Sequence, residues 1–434
     1  MDRLRLAVGQ RLLRLWLLNS CSAGLAVRTA HSLNAGIYVG EPDPDIRLAR
    51  EFDDLGPRTP LARVPAGDRC NSKRVLLQYL ILRSSRTGHQ WEVEVYVSAL
   101  DARNDSSSKQ QDRTRTQIPR VAIVGAGLVG STTAYALLNS GMAAEIVLFD
   151  RDRRRAEGHA QDLRDAEVFS DATRVFAGEF GDCCSADVTI ISAGVSQSGP
   201  KSRLEGLKET AVILKGLVQN ISRHNPHGIL LIASNPVDVL TYAVWKWSGL
   251  PASRVIGSGT SLDTARFRRR LAEKYGVASH NVHAYVIGEH GDSQIPVLSS
   301  ARIAGVPLEA FCQQLGLPYE ENALGRIASE TRTAGIEIIG AKGASYYGIG
   351  AALVRIVRAI LRDEDAVLTV SSLVPQSMQF GEVSLSLPAI INRGGVARVL
   401  PIPLNSNERK SLLSSAEILK QYIARLDGAE ATVV

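Results

Sequence analysis

From Pro119 to about residue 263, short apolar runs alternate with amphipathic stretches. The runs Arg120–Val124, Glu145–Phe149, Val188–Ile191 and Gly228–Ala233 are almost wholly apolar. Such runs suit strands covered on both faces of a parallel sheet. Helical spacing fills the gaps between them, as through Ala134 and Leu138. Strand alternating with helix predicts a doubly wound α/β sheet. Beyond residue 263 helices dominate, over 264–275, 320–340, 346–361 and 408–425, with strand-like pieces such as Ala366–Val370 between them. This second pattern predicts an α+β domain over 264–430.

The residues before Pro119 read differently. Leu12 to Leu18 form an apolar run inside an Arg-rich stretch, the pattern of a targeting helix or of a featureless tail. Residues 41–74 are rich in Pro, Asp and Arg without periodicity and read as disordered. Trp91–Val97 alternates as a strand does, and the polar segment 103–117 reads as a linker. Residues 1–117 are therefore expected to be an extension, disordered or outside the core. No internal repeat is visible. No run reaches eighteen apolar residues, so no membrane helix is expected.

The formal charge is +6, and most of the excess lies in the extension, which leaves the remainder near neutral. A nucleic-acid binder should carry its basic footprint on the folded domain, so that partner is not expected. Cys21, Cys70, Cys183, Cys184 and Cys312 form no CxxC pair and no cluster with histidine. No metal site is expected, and free thiols suit a reducing compartment, the cytoplasm.

Chemistry enters with Gly125-Ala-Gly127-Leu-Val-Gly130, a GxGxxG segment that follows the first apolar run and opens a helical pattern. The first glycine suits a tight turn, the second a close approach to pyrophosphate, and the third close helix–strand packing. Asp150 ends the next strand-like run, placed to accept from ribose hydroxyls and to repel a 2′-phosphate. The 118–263 segment thus reads as a Rossmann-type domain that takes NAD rather than NADP. The basic run Arg151, Arg153, Arg154 and Arg155 works against that preference, unless it is simply a solvated helix start.

Five further segments carry a resemblance. They are Gln197–Leu204, Asn235-Pro-Val-Asp238, Gly257–Phe267 with Asp263 and Arg266, Gly288-Glu-His290-Gly-Asp-Ser293, and Lys342-Gly-Ala-Ser345-Tyr-Tyr. In order and spacing they resemble the lactate/malate dehydrogenase family, in its bacterial allosteric L-lactate form, from about residue 119 to about 425. The resemblance implies NAD as cofactor and pyruvate and L-lactate as substrates. It implies His290 as proton donor and acceptor, Asp263 as its partner, Arg266 as the clamp on the substrate carboxylate and Arg203 as the group that polarises the keto oxygen. Gln197, Asn235, Asp238 and Ser345 are implied substrate contacts. Implied cofactor contacts are Gly125, Gly127, Val129, Gly130, Asp150, Arg155, Phe180, Gly194, Val195, Ala233, Ser234 and Asn235. A homotetramer is implied, and Arg268 and His283 match positions that bind fructose 1,6-bisphosphate.

The chemistry fits these assignments. An imidazole titrates near neutrality, and a guanidinium binds a carboxylate through two parallel hydrogen bonds. Each residue alone has a plainer reading: a surface ion pair for Asp263 and Arg266, a structural histidine for His290, a loop arginine for Arg203, and a solvated basic face for Arg268. Gln197 bears on the substrate, because malate enzymes of the family typically carry arginine there; a neutral residue leaves a second carboxylate unpaired. Lys201, on the same loop, favours the alternative of a malate or broader 2-hydroxyacid enzyme. Thr210, Gly216, Ser234, Ser345 and Phe180 depart from the family's usual residues, although none of them removes a catalytic group.

Overall fold

The computed structural model describes residues 77–87, 90–99, 119–170, 173–183, 185–194 and 203–430. The expectations for residues 1–74 and 103–117 lie outside these. The chain divides into two compact units, Met1–Arg115 and Thr116–Val434. In the first, β1 (Leu77–Thr87) and β2 (Gln90–Ala99) pair antiparallel, and β2 covers the alternating run that begins at Trp91.

The second unit is built on a nine-stranded sheet. Its parallel part is β3 (Arg120–Val124), β4 (Glu145–Phe149), β5 (Arg174–Ala177), β6 (Val188–Ile191), β7 (Ile229–Ile232) and β8 (Val255–Gly257). Their spatial order is β8-β7-β6-β3-β4-β5, the doubly wound arrangement in which the chain reverses direction between β3 and β6. Ligands of such sheets bind beyond the carboxyl ends of the strands at that reversal.

Both faces are covered, which is why the strands are almost wholly apolar. Ala122, Val124, Ile191, Leu230 and Ile232 face one core with Leu207 and Leu214 of α4 (Arg203–His224), Leu240 of α5 (Val237–Ser248), and Leu412 and Leu419 of α10 (Ser406–Glu430). Val121, Ile123, Ile146, Leu148 and Ile190 face the other, against Leu137 and Leu138 of α1 (Leu128–Ser140) and Leu353 and Ile356 of α9 (Tyr347–Leu361). Each fully buried Leu or Ile contributes about 1.5–3 kcal/mol of transfer free energy.

The C-terminal part does not build a separate sheet for all its strands. β12 (Ala366–Leu373), β13 (Ser384–Asn392) and β14 (Gly395–Val399) extend the same sheet beyond β8 as antiparallel strands. β9 (Val282–Ile287), β10 (Ile295–Ile303) and β11 (Val306–Pro307) form a second, three-stranded sheet. Phe267 and Leu271 of α6 (Ser261–Tyr275) close a third core against Val282, Ala284 and Val286. α8 (Glu321–Lys342) completes the set that positions the site. No helix among the described residues is long and apolar enough to cross a membrane.

Candidate active site

The crevice between β3 and β6 is shaped by glycine. Gly125 has φ +104°, and a Cβ there would stand 2.6 Å from the backbone nitrogen of Ala193. A Cβ on Gly130 would overlap the carbonyl of Gly125. Gly127 differs, because a Cβ there would meet no atom within 4 Å and would only fill open space. Gly127 is also the N-cap of α1 and supplies no side-chain cap. The first amides of that helix therefore have no intrahelical partner and point toward the open space. An anion fits this cradle, and a pyrophosphate is such an anion. Val129 and Gly130 lie in the same first turn.

Asp150 follows β4, and its carboxylate organises the loop. Oδ2 accepts from the backbone N–H of Ala126 (2.8 Å) and Oδ1 from that of Asp152 (2.9 Å). The basic run beside it is largely paired. Arg153 bonds Glu157 (2.8 Å) and Glu179 (3.0 Å), while Arg155, an exposed side chain, lies 3.9 Å from Asp152. Phe180 packs edge-on against Phe149, with ring centroids 5.9 Å apart. At the far side of the crevice, Ser234 donates to the carbonyl of Ala193 (2.5 Å). A Cβ on Gly194 would stand 3.3 Å from Thr210 Cγ2, so the departure at Thr210 lies beside this loop. Ala233 and Asn235 complete the end of β7, Asn235 with its side chain exposed. Gly216 has open space around it.

The acid–base group stands over the ends of β7 and β8. Asp263, on the first turn of α6, is buried. His290 Nδ1–H donates to its Oδ2 at 2.6 Å, and Arg266 Nη1 donates to its Oδ1 at 3.0 Å. The three-residue spacing of Asp263 and Arg266 thus makes a buried pair with the imidazole as third member. Their pKa values shift accordingly. Burial opposes charge on His290, but the Asp263 carboxylate outweighs it and holds the imidazole above its ordinary value. Burial likewise opposes charge on Asp263, and His290 and then Arg266 outweigh it, leaving the carboxyl below its ordinary value. The His290 side chain is 29% exposed, enough to leave its Nε2 edge accessible from the crevice.

Asp238 has another place. It is fully buried on α5, and its Oδ2 accepts from the backbone N–H of His290 (2.7 Å). Its Oδ1 accepts from the hydroxyl of Ser386 on β13 (2.9 Å). It lies behind His290 and not against a ligand. Ser345 lies in the turn between α8 and α9, three residues before Gly348, which packs on Leu262 beside Asp263. Val195, Gln197 and Lys201 lie outside the described residues, as does the side chain of Arg203, whose backbone opens α4.

Sequence reasoning missed Ser386 and Ser415. Ser415, on α10, accepts from the backbone N–H of Glu289 (2.8 Å). Buried serines carry no signal in a linear reading.

Arg268 and His283 lie behind this site. Arg268 Nε donates to the carbonyl of Ala284 (2.8 Å), and its guanidinium lies 5.2 Å from the centre of the Tyr285 ring. Burial brings its pKa below the ordinary arginine value. His283 is exposed on β9, paired across the sheet with Arg302. Cys183 and Cys312 are buried and form no disulfide. Among the described residues no group of three or more His, Cys, Asp or Glu is placed to hold a metal.

Residues 119–257 match the model of the lactate/malate dehydrogenase NAD-binding domain, and residues 260–428 that of the α/β C-terminal domain of the same enzymes. The chain is 46% identical over 307 residues to an L-lactate dehydrogenase of Geobacillus thermodenitrificans, across 70% of this chain and 96% of the relative. The chain belongs to the lactate/malate dehydrogenase family. A probable L-lactate dehydrogenase of Schizosaccharomyces pombe is 45% identical over 304 residues, 70% of this chain and 92% of that one. Among solved structures, a lactate dehydrogenase from a Medee basin deep-sea metagenome library covers 71% of this chain and 99% of its own, at 42% identity and a TM-score of 0.68. A minor L-lactate dehydrogenase of Enterococcus mundtii, in a ligand-bound form, matches at 39% identity with the same TM-score. The chain is thus an NAD-dependent oxidoreductase of the lactate dehydrogenase branch, and its unmatched part is the N-terminal extension.

Proposed function

We propose that the chain catalyses the reversible reduction of pyruvate to L-lactate, the L-lactate dehydrogenase reaction that closes lactate fermentation from glycolysis. The observation that carries this is the linked set His290–Asp263–Arg266, with contacts of 2.6 and 3.0 Å, at the strand ends beside the glycine cradle. NADH, held by Gly125, Gly127, Gly130 and Asp150, supplies the hydride when bound. Arg266 has five N–H donors. One is engaged by Asp263, and others remain for the two oxygens of the pyruvate carboxylate. Arg203 polarises the keto oxygen as negative charge develops there. His290 passes a proton from Nε2 to that oxygen while Asp263 stabilises the imidazolium. In the reverse direction the neutral imidazole takes the hydroxyl proton of lactate. Gln197 favours pyruvate by offering no charge to a second carboxylate.

The reaction belongs to the cytoplasm, in a homotetramer for which the exposed apolar residues Leu128, Tyr135, Val212 and Ile336 offer contact area. Fructose 1,6-bisphosphate is an activator, with a phosphate received by the remaining donors of Arg268 and by His283. The central test follows NADH absorbance with pyruvate and with oxaloacetate, in the parent protein and in His290→Asn. Pyruvate turnover well above oxaloacetate turnover is expected, lost in His290→Asn while NADH still binds. A preference for oxaloacetate would overturn the substrate reading, and near-normal turnover of His290→Asn would overturn the proton donor. For the activator, fructose 1,6-bisphosphate should lower the KM for pyruvate, and Arg268→Gln should remove that response.

A further inference from the structure

The loop that carries His290 is held from behind at three successive residues, each by a different element. Gly288 exchanges backbone hydrogen bonds with Ser386 of β13, N–H to carbonyl at 2.9 Å and the reverse at 3.1 Å. The N–H of Glu289 donates to Ser415 Oγ of α10 at 2.8 Å. The N–H of His290 donates to Asp238 Oδ2 of α5 at 2.7 Å. Ser386 serves twice, since its hydroxyl also donates to Asp238 Oδ1 at 2.9 Å.

A fully buried carboxyl is costly unless every bond it can make is made. Asp238 sits in that position, 1% exposed, with one oxygen on the histidine's amide and the other on a buried serine. A leucine or asparagine would fill the space, and a neutral acceptor would satisfy the amide. What a carboxylate adds is a second negative charge near the imidazole, besides the one at Nδ1.

We infer that Asp238, clamped by Ser386, is a positioning residue that fixes the His290 backbone and biases the imidazole toward its protonated form. The inference rests on His290 being the acid–base group. The charged groups that face His290 among the described residues are Asp263 and Arg266 of α6 and Asp238 of α5. β13 contributes the Ser386 hydroxyl, and Glu289 of the same loop turns its carboxylate to the Ser293 hydroxyl (2.5 Å). Asp238 acts on the imidazole in the same direction as Asp263 and against Arg266. Burial pushes the Asp238 carboxyl itself above its ordinary value, against the bonds from the His290 amide, Ser371 and Ser386.

The test is Asp238→Asn, which keeps an acceptor for the His290 amide and removes the charge. Its readout is the pH profile of pyruvate reduction in the full-length protein. Reduction needs the imidazolium, so loss of a neighbouring negative charge moves the alkaline fall-off to lower pH, by about one unit. At a pH above both ionisations, turnover then drops roughly tenfold, while NADH binding measured by fluorescence stays unchanged. Ser386→Ala removes a hydroxyl bond to the carboxylate and serves if Asp238→Asn does not fold. It should move the fall-off in the same direction by a smaller amount. A parental fall-off that is unmoved in the folded variant overturns the role of Asp238. Absence of that fall-off in the parent, or its persistence in His290→Asn, instead counts against His290 as the acid–base group.

Discussion

Asp263→Asn tests the electrostatic core of the site. The carboxylate holds His290 Nδ1–H at 2.6 Å and Arg266 Nη1 at 3.0 Å. An asparagine satisfies one of these at a time. If its carbonyl accepts from Nδ1–H, its amide meets the guanidinium donor to donor. The charge matters more. Two unit charges about 4 Å apart interact by about 4 kcal/mol at an effective dielectric of about 20. Burial and Arg266 work against the imidazolium, and of the charges that favour it only Asp238 would remain. Allowing for relaxation, a fall of about two pH units in the His290 ionisation is expected. The sign follows from the chemistry: the carboxylate raises the ionisation and so favours the charged proton donor, and its loss favours the empty one. Pyruvate reduction at a pH above both ionisations should therefore fall by roughly a hundredfold. Lactate oxidation, which needs the neutral ring, should keep more of its rate and extend to lower pH. Initial rates in both directions across the pH range, with NADH titrated by fluorescence as a control on folding, decide the matter. An unshifted profile in Asp263→Asn would refute the coupling of this carboxylate to the imidazole.

Arg266→Lys should raise the KM for pyruvate by roughly ten- to a hundredfold with a smaller effect on kcat, because the two-pronged grip is lost; an unchanged KM would remove Arg266 from the carboxylate site. Gly127→Ala and Gly130→Ala should separate binding from folding. The first places a methyl in open space and should weaken NADH binding without lowering Tm, whereas the second overlaps the Gly125 carbonyl and should lower Tm; equal melting of the two variants would contradict the cradle. A protein that starts at Thr116 contains the whole second unit and should reduce pyruvate at the full-length rate, checked by kcat and KM on both.

The parallel strands were legible because their chemistry is uniform. Arg120–Val124, Glu145–Phe149 and Val188–Ile191 occur at the bounds that the apolar runs predict; helices α6 and α10 cover the predicted stretches with added residues, while α8 and α9 each begin one residue late. β5 and β8 escaped, being four and three residues long. β13 escaped for a different reason. Its sequence SLSLPAIIN alternates as a half-exposed strand would and includes a proline, yet Ser384 and Ser386 are as buried as the leucines between them. Within the site, Asp263, Arg266 and His290, singled out through the family resemblance, stand linked by hydrogen bonds. The burial of Asp263, and the place of Asp238 behind the histidine, were not legible. Both depend on which strand passes behind the loop, and that is settled by pairings distant in sequence, such as Gly288 with Ser386.

The same distance explains where this fold places its buried polar residues. The parallel half of the sheet meets the antiparallel half through one pair, Gly257 with Ser371. A Cβ at Gly257 would strike the Thr241 hydroxyl and come within 2.8 Å of Ser371 Cβ, so large side chains are shut out of this seam. Small polar residues occupy it. Thr264 shares a hydrogen bond with Thr369 at 2.8 Å and receives the backbone N–H of Val286 at 2.9 Å; Thr260 donates to the Val286 carbonyl at 2.5 Å; Ser261 donates to the Thr369 carbonyl at 2.7 Å. Satisfied networks of this kind rigidify what they join, and this one joins β9, α6 and β12. β9 leads into the His290 loop, and α6 carries Asp263. Acid–base catalysis requires those two groups to hold one distance through turnover. Apolar side chains at the seam would add only non-directional contacts to the β8–β12 pairing; here directional bonds also tie β9 and α6 to β12. The seam is therefore where a change remote from the ligand, such as Thr264→Val, should reach the chemistry. That variant keeps the volume, removes the bonds to Thr369 and Val286, and should lower kcat several-fold with little change in the KM for pyruvate. A parental kcat would show that the distance between Asp263 and His290 is fixed by their own hydrogen bond alone.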